Sequence, residues 1–159
     1  FWWSFSYAGR VTPPALVYVI CMGLTTGGLF LAWQIVVARY GRGNINRVGG
    51  LAWEMPCFAV ALLLLVMAAM GLPPFGLFSG VMGMLLHHTM RISWDLPIIG
   101  LAWLLGTGFL LGLMQRILFG PRCAQIHYRD MSYGERMLLV SVLLLLLVMG
   151  VAPLGAFIR

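Results

Sequence analysis

The stretch Ala68-Ala69-Met70-Gly71-Leu72-Pro73-Pro74-Phe75-Gly76-Leu77-Phe78-Ser79-Gly80 lies in the middle of an uncharged run from Met55 to Leu86. As one continuous helix, that run would be roughly 45–50 Å long, whereas the hydrocarbon core of a bilayer is about 30 Å thick. Pro73 and Pro74 cannot donate backbone hydrogen bonds, and their rings crowd the carbonyls of Ala69 and Met70. The stretch therefore predicts a membrane helix that is discontinuous at Gly71, Leu72, Pro73 and Pro74.

A break of this kind limits what can surround it. Inside lipid, an unpaired backbone carbonyl costs several kcal/mol, so a broken helix persists only against other protein or a water-filled cavity. Broken helices recur at ion pathways in membrane transport proteins. We interpret the stretch as a discontinuous helix around which the other helices pack. The alternative is a proline kink without a functional role.

The composition excludes a soluble domain. Of the 159 residues, 62% are hydrophobic and 9% are charged, and the mean hydropathy is +0.98. Soluble domains are about half apolar and a quarter charged. The net charge of +6 comes from ten arginines. These arginines lie at the ends of hydrophobic runs, where they set topology and contact lipid headgroups, so we do not expect nucleic-acid binding.

The apolar runs predict an all-α membrane protein with four spans, the second of them discontinuous. Residues 1–12 form an aromatic lead-in, and residues 13–159 form one transmembrane domain. Its spans are expected at about 13–38, 52–88, 96–119 and 137–158. Two loops on one side of the membrane, counted with the adjoining helix ends, hold seven arginines, namely Arg39, Arg42, Arg47, Arg116, Arg122, Arg129 and Arg136. The side of the termini holds Arg10, Arg91 and Arg159, so the positive-inside rule places both termini outside.

Small residues predict close helix packing. Three pairs have GxxxG spacing, namely Gly23 and Gly27, Gly76 and Gly80, and Gly108 and Gly112. Such pairs let helix backbones approach closely, and we expect some of the partner helices to belong to other chains. The cysteines Cys21, Cys57 and Cys123 form no metal-like cluster, and we expect them to be buried apolar side chains.

The sequence offers little chemistry. It contains no catalytic triad, metal-ligand spacing, phosphate loop or dinucleotide fingerprint, so we predict no catalytic, cofactor-binding or metal-binding residue. Glu54, Asp95 and Glu135 stand near the ends of spans, where we expect them at the membrane interface. His87 and His88 form the titratable pair near the broken helix. They are either a proton relay or interfacial anchors of the helix end.

The order of several motifs is informative when they are taken together. They are Met22-Gly23-Leu24-Thr25-Thr26-Gly27-Gly28-Leu29-Phe30, Gly49-Gly50-Leu51, Met55-Pro56, Gly71-Leu72-Pro73-Pro74, Gln115-Arg116-Ile117-Leu118-Phe119-Gly120-Pro121 and Ser132-Tyr133-Gly134-Glu135. This order resembles the carboxy-terminal part of the antiporter-like membrane subunit of respiratory complex I, called chain 4 in mitochondria and subunit M in bacteria. The resemblance covers about residues 13–155.

The resemblance implies a fold and a setting. The chain would form the last four spans of an antiporter-like subunit, with both termini facing outward. It would be a split fragment of proton-pumping NADH:ubiquinone oxidoreductase in the mitochondrial inner membrane, with the bacterial plasma membrane as the alternative. Its partners would be a chain with the amino-terminal spans, neighbouring antiporter-like and other membrane subunits, and phospholipids including cardiolipin. It would hold no redox centre, since NADH, FMN, the iron–sulfur clusters and ubiquinone belong elsewhere in the complex.

Two departures from the family's pattern bear on proton transfer. The resemblance places Met22 where the family usually has a histidine, and Val81 where it usually has a glutamate. Neither side chain binds a proton. His88 is seven residues beyond Val81, which on a helix is nearly the same face, so it is a candidate for a displaced relay. The alternative functions are a homologous subunit of a membrane-bound hydrogenase, cation/proton antiporter or inorganic-carbon transporter, or a structural membrane subunit that has lost proton translocation.

Overall fold

The computed structural model describes residues 12–40, 49–87, 95–120 and 130–157. Within these ranges the regular secondary structure is entirely helical, which confirms the all-α prediction. The helices are α1 (Pro13–Tyr40), α2 (Leu51–Glu54), α3 (Pro56–Ala69), α4 (Gly76–His87), α5 (Asp95–Phe119) and α6 (Tyr133–Phe157). The aromatic lead-in, apart from Thr12, lies outside the described residues.

Among the described residues, three helices have the length and composition of membrane spans, namely Pro13–Arg39 in α1, Pro97–Phe119 in α5 and Tyr133–Ala152 in α6. The predicted second span is divided into shorter apolar helices, Pro56–Ala69 and Gly76–Leu85. Each of these is too short to cross about 30 Å of hydrocarbon alone, whereas the two in succession would be long enough. The predicted discontinuity is confirmed, and the total of four crossings stays a prediction.

The second span has a further interruption that was not predicted. α2 ends at Glu54 and α3 begins at Pro56, with Met55 between them at φ −136° and ψ 74°. Pro56 fits the first turn of α3, because the amide it lacks would have no partner within the helix there. The prediction of one helix from residue 52 to the proline pair was therefore wrong at its beginning.

The core forms where α1, α3, α4 and α6 meet. Leu65 of α3 and Leu146 of α6 are fully buried, and Cys21 of α1 lies in the same cluster. α5 packs on α2 and α3 at the edge of this bundle. Most of its described side chains are exposed, with Leu104 at 72% and Phe109 at 71%. α5 is therefore the helix that the rest of the chain covers least.

The cysteine prediction is confirmed at one position and wrong at another. Cys21 is buried in the core, whereas Cys57 is exposed in the first turn of α3. Cys57 was expected inside a span that begins near residue 52, whereas it is the second residue of α3, which begins at Pro56. Cys123 lies outside the described residues.

One end of the bundle is held by charged groups. The guanidinium of Arg39, in the last turn of α1, donates to both carboxylate oxygens of Glu135 in the first turn of α6, at 2.7 and 3.2 Å. Glu135 also accepts the amide of Ser132 at 2.7 Å, and its own amide donates to the Ser132 hydroxyl at 3.4 Å. This reciprocal pair is a capping box, which begins α6 at Tyr133 rather than near Met137 as predicted.

Asp130 connects the same end to α3. Its carboxylate accepts the backbone amides of Cys57 at 3.1 Å and Met131 at 2.7 Å. Partial burial raises the pKa of Asp130, but the hydrogen bonds from these amides outweigh it and hold the pKa below its usual range. The contacts of Arg39 and Asp130 thus bring the end of α1 and the beginnings of α3 and α6 to one end of the bundle.

Candidate functional site: the break between α3 and α4

The first half of the broken helix, α3, ends at Ala69, and the chain turns at Gly71, before the prolines. Gly71 has φ +68°, in the left-handed region that favours glycine. Its amide donates to the carbonyl of Ala68 at 3.0 Å, and the amide of Leu72 donates to the carbonyl of Met67 at 3.2 Å. This pair of bonds is a Schellman motif. The prolines were expected to break the helix, but the glycine turns the chain first, and the prolines follow where they need no helical donor.

Trp103 of α5 satisfies a carbonyl that the break leaves exposed. Its indole nitrogen donates to the carbonyl oxygen of Met70 at 2.8 Å. The same ring covers Gly71, since a Cβ on that residue would lie 3.3 Å from the ring. A membrane-embedded carbonyl at a helix end needs such a donor, because water is absent from the hydrocarbon. Trp103 therefore links the most exposed helix to the break.

Gly150 of α6 contacts the break from another side. A Cβ at position 150 would collide with the carbonyl oxygen of Pro74 and would lie 2.7 Å from the carbonyl carbon of Phe75. Only a residue without a side chain allows α6 to approach the backbone of the break this closely. The Pro73–Pro74 peptide bond is cis, and the amide of Phe75 donates to the carbonyl of Leu72 at 3.1 Å.

The second half of the broken helix packs tightly through its small residues. A Cβ on Gly76 would collide with the sulfur of Cys21, and one on Gly80 would lie 2.9 Å from the Cα of Tyr18. Between them, the buried hydroxyl of Ser79 donates to the carbonyl of Gly76 at 2.8 Å and reaches the carbonyl of Met149 at 3.4 Å. α4 is thus fixed between α1 and α6.

The other glycine pairs are not used in this way. A Cβ on Gly23, Gly27, Gly108 or Gly112 would meet no atom of the described chain within 4 Å. On α1 the close contact is made by Gly28, where a Cβ would lie 2.7 Å from the Leu65 side chain and 3.1 Å from that of Val142. Packing of the two open pairs against other chains stays a prediction.

Of the candidate proton-transfer positions, the structure describes the side chains of Met22 and Val81. Met22 is 49% exposed on α1, and Val81 is partly buried on α4. His87 is the last residue of α4, but its side chain lies outside the description, as does the whole of His88. Among the described residues, no three histidine, cysteine or carboxylate side chains could hold a metal ion.

Comparison with known proteins identifies the family. Residues 8–116 match the family described as NADH:quinone oxidoreductase/Mrp antiporter, TM, which is more than half of the chain. The chain belongs to this family. The match includes α1, both halves of the broken helix and most of α5, so the break lies within the matched residues. The resemblance predicted from the motifs is confirmed.

Individual relatives of this antiporter-family chain have low identity over most of its length. NADH-ubiquinone oxidoreductase chain 4 of Chondrus crispus is 28% identical over 142 residues, which is 87% of this chain and 29% of the relative. NADH-quinone oxidoreductase subunit M of Mycobacterium tuberculosis is 31% identical over 139 residues, 86% of this chain and 25% of the relative. NADH-quinone oxidoreductase subunit 13 of Thermus thermophilus is 30% identical over 144 residues, which is 91% of this chain and 30% of the relative. The chain spans less than a third of the length of these relatives.

The two contacts across the break were missed in the sequence analysis. Trp103 stands in the middle of a predicted span, where an indole N–H needs a hydrogen-bond partner, and this was the available signal. Gly150 has no glycine four residues away and gave no GxxxG signal. The residues of the predicted discontinuity, Gly71 to Pro74, are brought together with Trp103 and Gly150 in the structure.

Proposed function

We propose that the chain is a membrane-arm subunit of a proton-pumping NADH:quinone oxidoreductase and contains no redox centre. The observation that supports this most is the discontinuous helix, closed by Trp103 and Gly150, inside a chain of the NADH:quinone oxidoreductase/Mrp antiporter family. The relatives named above are subunits of NADH-quinone or NADH-ubiquinone oxidoreductases. NADH, FMN, iron–sulfur clusters and the quinone would bind to other subunits.

The proposed work of the chain is structural and conformational. α4 is held by close backbone contacts with α1 and α6, while Trp103 attaches α5 to the end of α3. A movement of either half-helix would therefore be transmitted to its neighbours. In this proposal, the chain forms part of the wall of the antiporter-like proton pathway and transmits conformational change along the arm. Met22 and Val81 supply no proton-binding group to that wall.

Co-purification tests the proposed complex. The chain is tagged in its native membrane, extracted in mild detergent and purified, and its co-purifying chains are identified by mass spectrometry. We expect the other subunits of NADH:quinone oxidoreductase and NADH-oxidising activity in the same native gel band. A hydrogenase, a cation/proton antiporter or a carbon transporter as the sole set of partners would overturn the proposal in favour of those homologous machines.

We further propose a partner and a location. Neighbouring antiporter-like subunits and phospholipids such as cardiolipin would surround the chain in the mitochondrial inner membrane. Both termini should face the intermembrane space, so labelling of Cys123 from the outer side of intact mitoplasts would contradict the orientation.

A proton relay at His88 is the second candidate role. It is motivated by the apolar residue at position 81 and by the helical register of His88 with it. We favour an interfacial anchor, because Met22 and Val81 offer no titratable partner on the described helices. Replacing His88 by Phe keeps an aromatic ring and removes the titratable group. An unchanged number of protons per NADH supports the anchor, whereas a reduced number with assembly intact supports the relay.

A further inference from the structure

We propose that the groove between α1 and α5 binds one anionic phospholipid, with its phosphate at Arg116 and an acyl chain along the groove. The inference rests on the membrane location of the family and not on the proposed complex. The groove has a volume of about 470 Å³, within the roughly 300–1,000 Å³ that is usual for ligand sites. α1 and α5 form its sides, and α3 forms its floor with residues that include Phe58, Leu62 and Val66.

The groove is lined almost entirely by apolar side chains, and Arg116 is the charged residue among them. Apart from Thr26 and Arg116, the lining side chains are apolar or aromatic, including Phe30, Trp33 and Leu113. The Thr26 hydroxyl already donates to the carbonyl of Met22 at 2.8 Å, so its hydrogen-bond donor is satisfied without a ligand. A long apolar groove of this kind favours an alkyl chain over a polar solute.

Arg116 supplies the charge complementarity. Arg116 lines the groove together with Val36, which lies one helical turn from Arg39 at the end of α1. Arg39 at that end pairs with Glu135, whereas Arg116 has no carboxylate partner in the described part of the chain. An arginine presents five donors in a planar fork that fits phosphate oxygens. A phosphate at Arg116 would therefore be at headgroup depth, with the groove extending from it towards the membrane centre.

The length of the groove fits an acyl chain. On α1 it extends from Thr26 to Val36, which is about 15 Å at 1.5 Å per residue. On α5 it extends from Leu110 to Ile117, about 10 Å by the same rise. The α1 length matches one leaflet, which is half of the roughly 30 Å of hydrocarbon, and the α5 length is about two thirds of a leaflet. A groove of this length accommodates an acyl chain within one leaflet.

The test uses the assembled protein in its own membrane. Phosphatidylglycerol with a photoreactive diazirine in its acyl chain is incorporated, the membranes are irradiated, and cross-linked peptides are mapped by mass spectrometry. We expect lipid adducts on the α1 segment that includes Phe30 and Trp33. Arg116→Gln should lower the yield of these adducts about tenfold, the effect of losing one charge-assisted contact. Arg136→Gln, which removes an exposed arginine of α6 outside the groove, should leave the yield unchanged.

A second pair of variants keeps the proposal falsifiable if the charge change impairs assembly. Leu113 lines the groove and is 44% exposed, while Leu111 on the same helix is 41% exposed and does not line it. Leu113→Trp fills the groove and should suppress the α1 adducts, whereas Leu111→Trp should not.

Adducts that are insensitive to both Arg116→Gln and Leu113→Trp would show bulk lipid only and overturn the proposal. A protein cross-link from Phe30 to another chain in place of lipid would overturn it in favour of a partner helix. Absence of NADH oxidoreductase partners would leave these outcomes unaffected.

Discussion

α4 and α5 are two apolar helices that share a motif and differ in what surrounds it. Gly76 and Gly80 of α4 lie against Cys21 and Tyr18 so closely that no Cβ fits. Gly108 and Gly112 of α5 have the same spacing, but a Cβ on either would meet no described atom within 4 Å. The motif therefore predicts that another helix can pack closely at these glycines. It does not predict whether that helix belongs to the same chain or to another one.

The difference separates the chain into a closed part and an open part. The closed part is the break with α1, α4 and α6, whose backbones touch through glycine. The open part is α5, whose described side chains are mostly exposed and whose bond to the break is made by Trp103. The division predicts that substitutions in the closed part destabilise the chain itself, whereas substitutions on α5 weaken its packing against neighbouring chains.

The largest effect is expected at Gly150. Gly150→Ala places a methyl group on the carbonyl of Pro74, so α6 and the break must separate, at a cost of roughly 3 kcal/mol. The measurement is the temperature at which the assembled complex is lost on native gels. Gly106→Ala on α5 is the matched control. It has open space and gains up to about 1 kcal/mol of helix propensity. Equal losses in both variants would contradict the division.

A smaller effect is expected at Trp103. Trp103→Phe keeps a ring beside Gly71 but removes the donor to the Met70 carbonyl, which should cost about 1–2 kcal/mol. Trp33→Phe is the control, since it removes an indole of similar exposure, 40% against 46%, from α1. Proteolysis of detergent-extracted complex should become faster at α5 in the Trp103 variant and stay unchanged in the control. Identical proteolysis of both would show that the hydrogen bond does not hold α5.

The pair of Arg39 and Glu135 should contribute less. Both side chains are partly exposed, at 16% and 30%, so solvent screens the interaction. A double-mutant cycle with Arg39→Gln, Glu135→Gln and the combined variant should give a coupling of about 1 kcal/mol. Heat denaturation of the complex in detergent supplies the four stabilities. Strict additivity of the two substitutions would mean that the ion pair does not join α1 to α6.

Asp130 should show the smallest effect, together with a characteristic pH dependence. Its pKa is lowered in the folded chain, so its stabilisation is complete above the ordinary value of 3.8 and is lost as the pH falls through the lower folded value. Asp130→Asn should therefore be slightly less stable than the parent chain from pH 8 to about 5. The difference in melting temperature should shrink below pH 4. A difference that grows on acidification would have the wrong sign.

Much of the fold was predictable because hydropathy and bilayer thickness constrain it directly. The uncharged run that contains Pro73 and Pro74 is too long for one crossing, and the break was placed correctly from that length. The beginning of α6 was placed late, because the boundary followed the last charge, Arg136, instead of the capping motif formed by Ser132 and Glu135. The start of α3 was missed, because Met55-Pro56 was not treated as the end of a helix.

The contacts of the candidate site were less predictable, because they join residues far apart in the chain. Trp103 and Met70 are 33 positions apart, and no local pattern specifies which carbonyl an indole in a membrane helix will reach. Gly150 contacts Pro74 through a close approach of α6 that depends on the packing of the whole bundle. Residue type indicated that Trp103 needed an acceptor, and the tertiary structure determined which one.

One cross-linking measurement tests most directly the proposal that the open face of α5 packs against a neighbouring subunit of an NADH:quinone oxidoreductase. A photoreactive amino acid replaces Leu105, which is 67% exposed and lies on the same face of α5 as Gly112. After irradiation of native membranes, the cross-linked product is purified and sequenced by mass spectrometry. The account predicts a cross-link to another membrane subunit of that oxidoreductase. Cross-links only to lipid, only within this chain, or to an unrelated protein would contradict it.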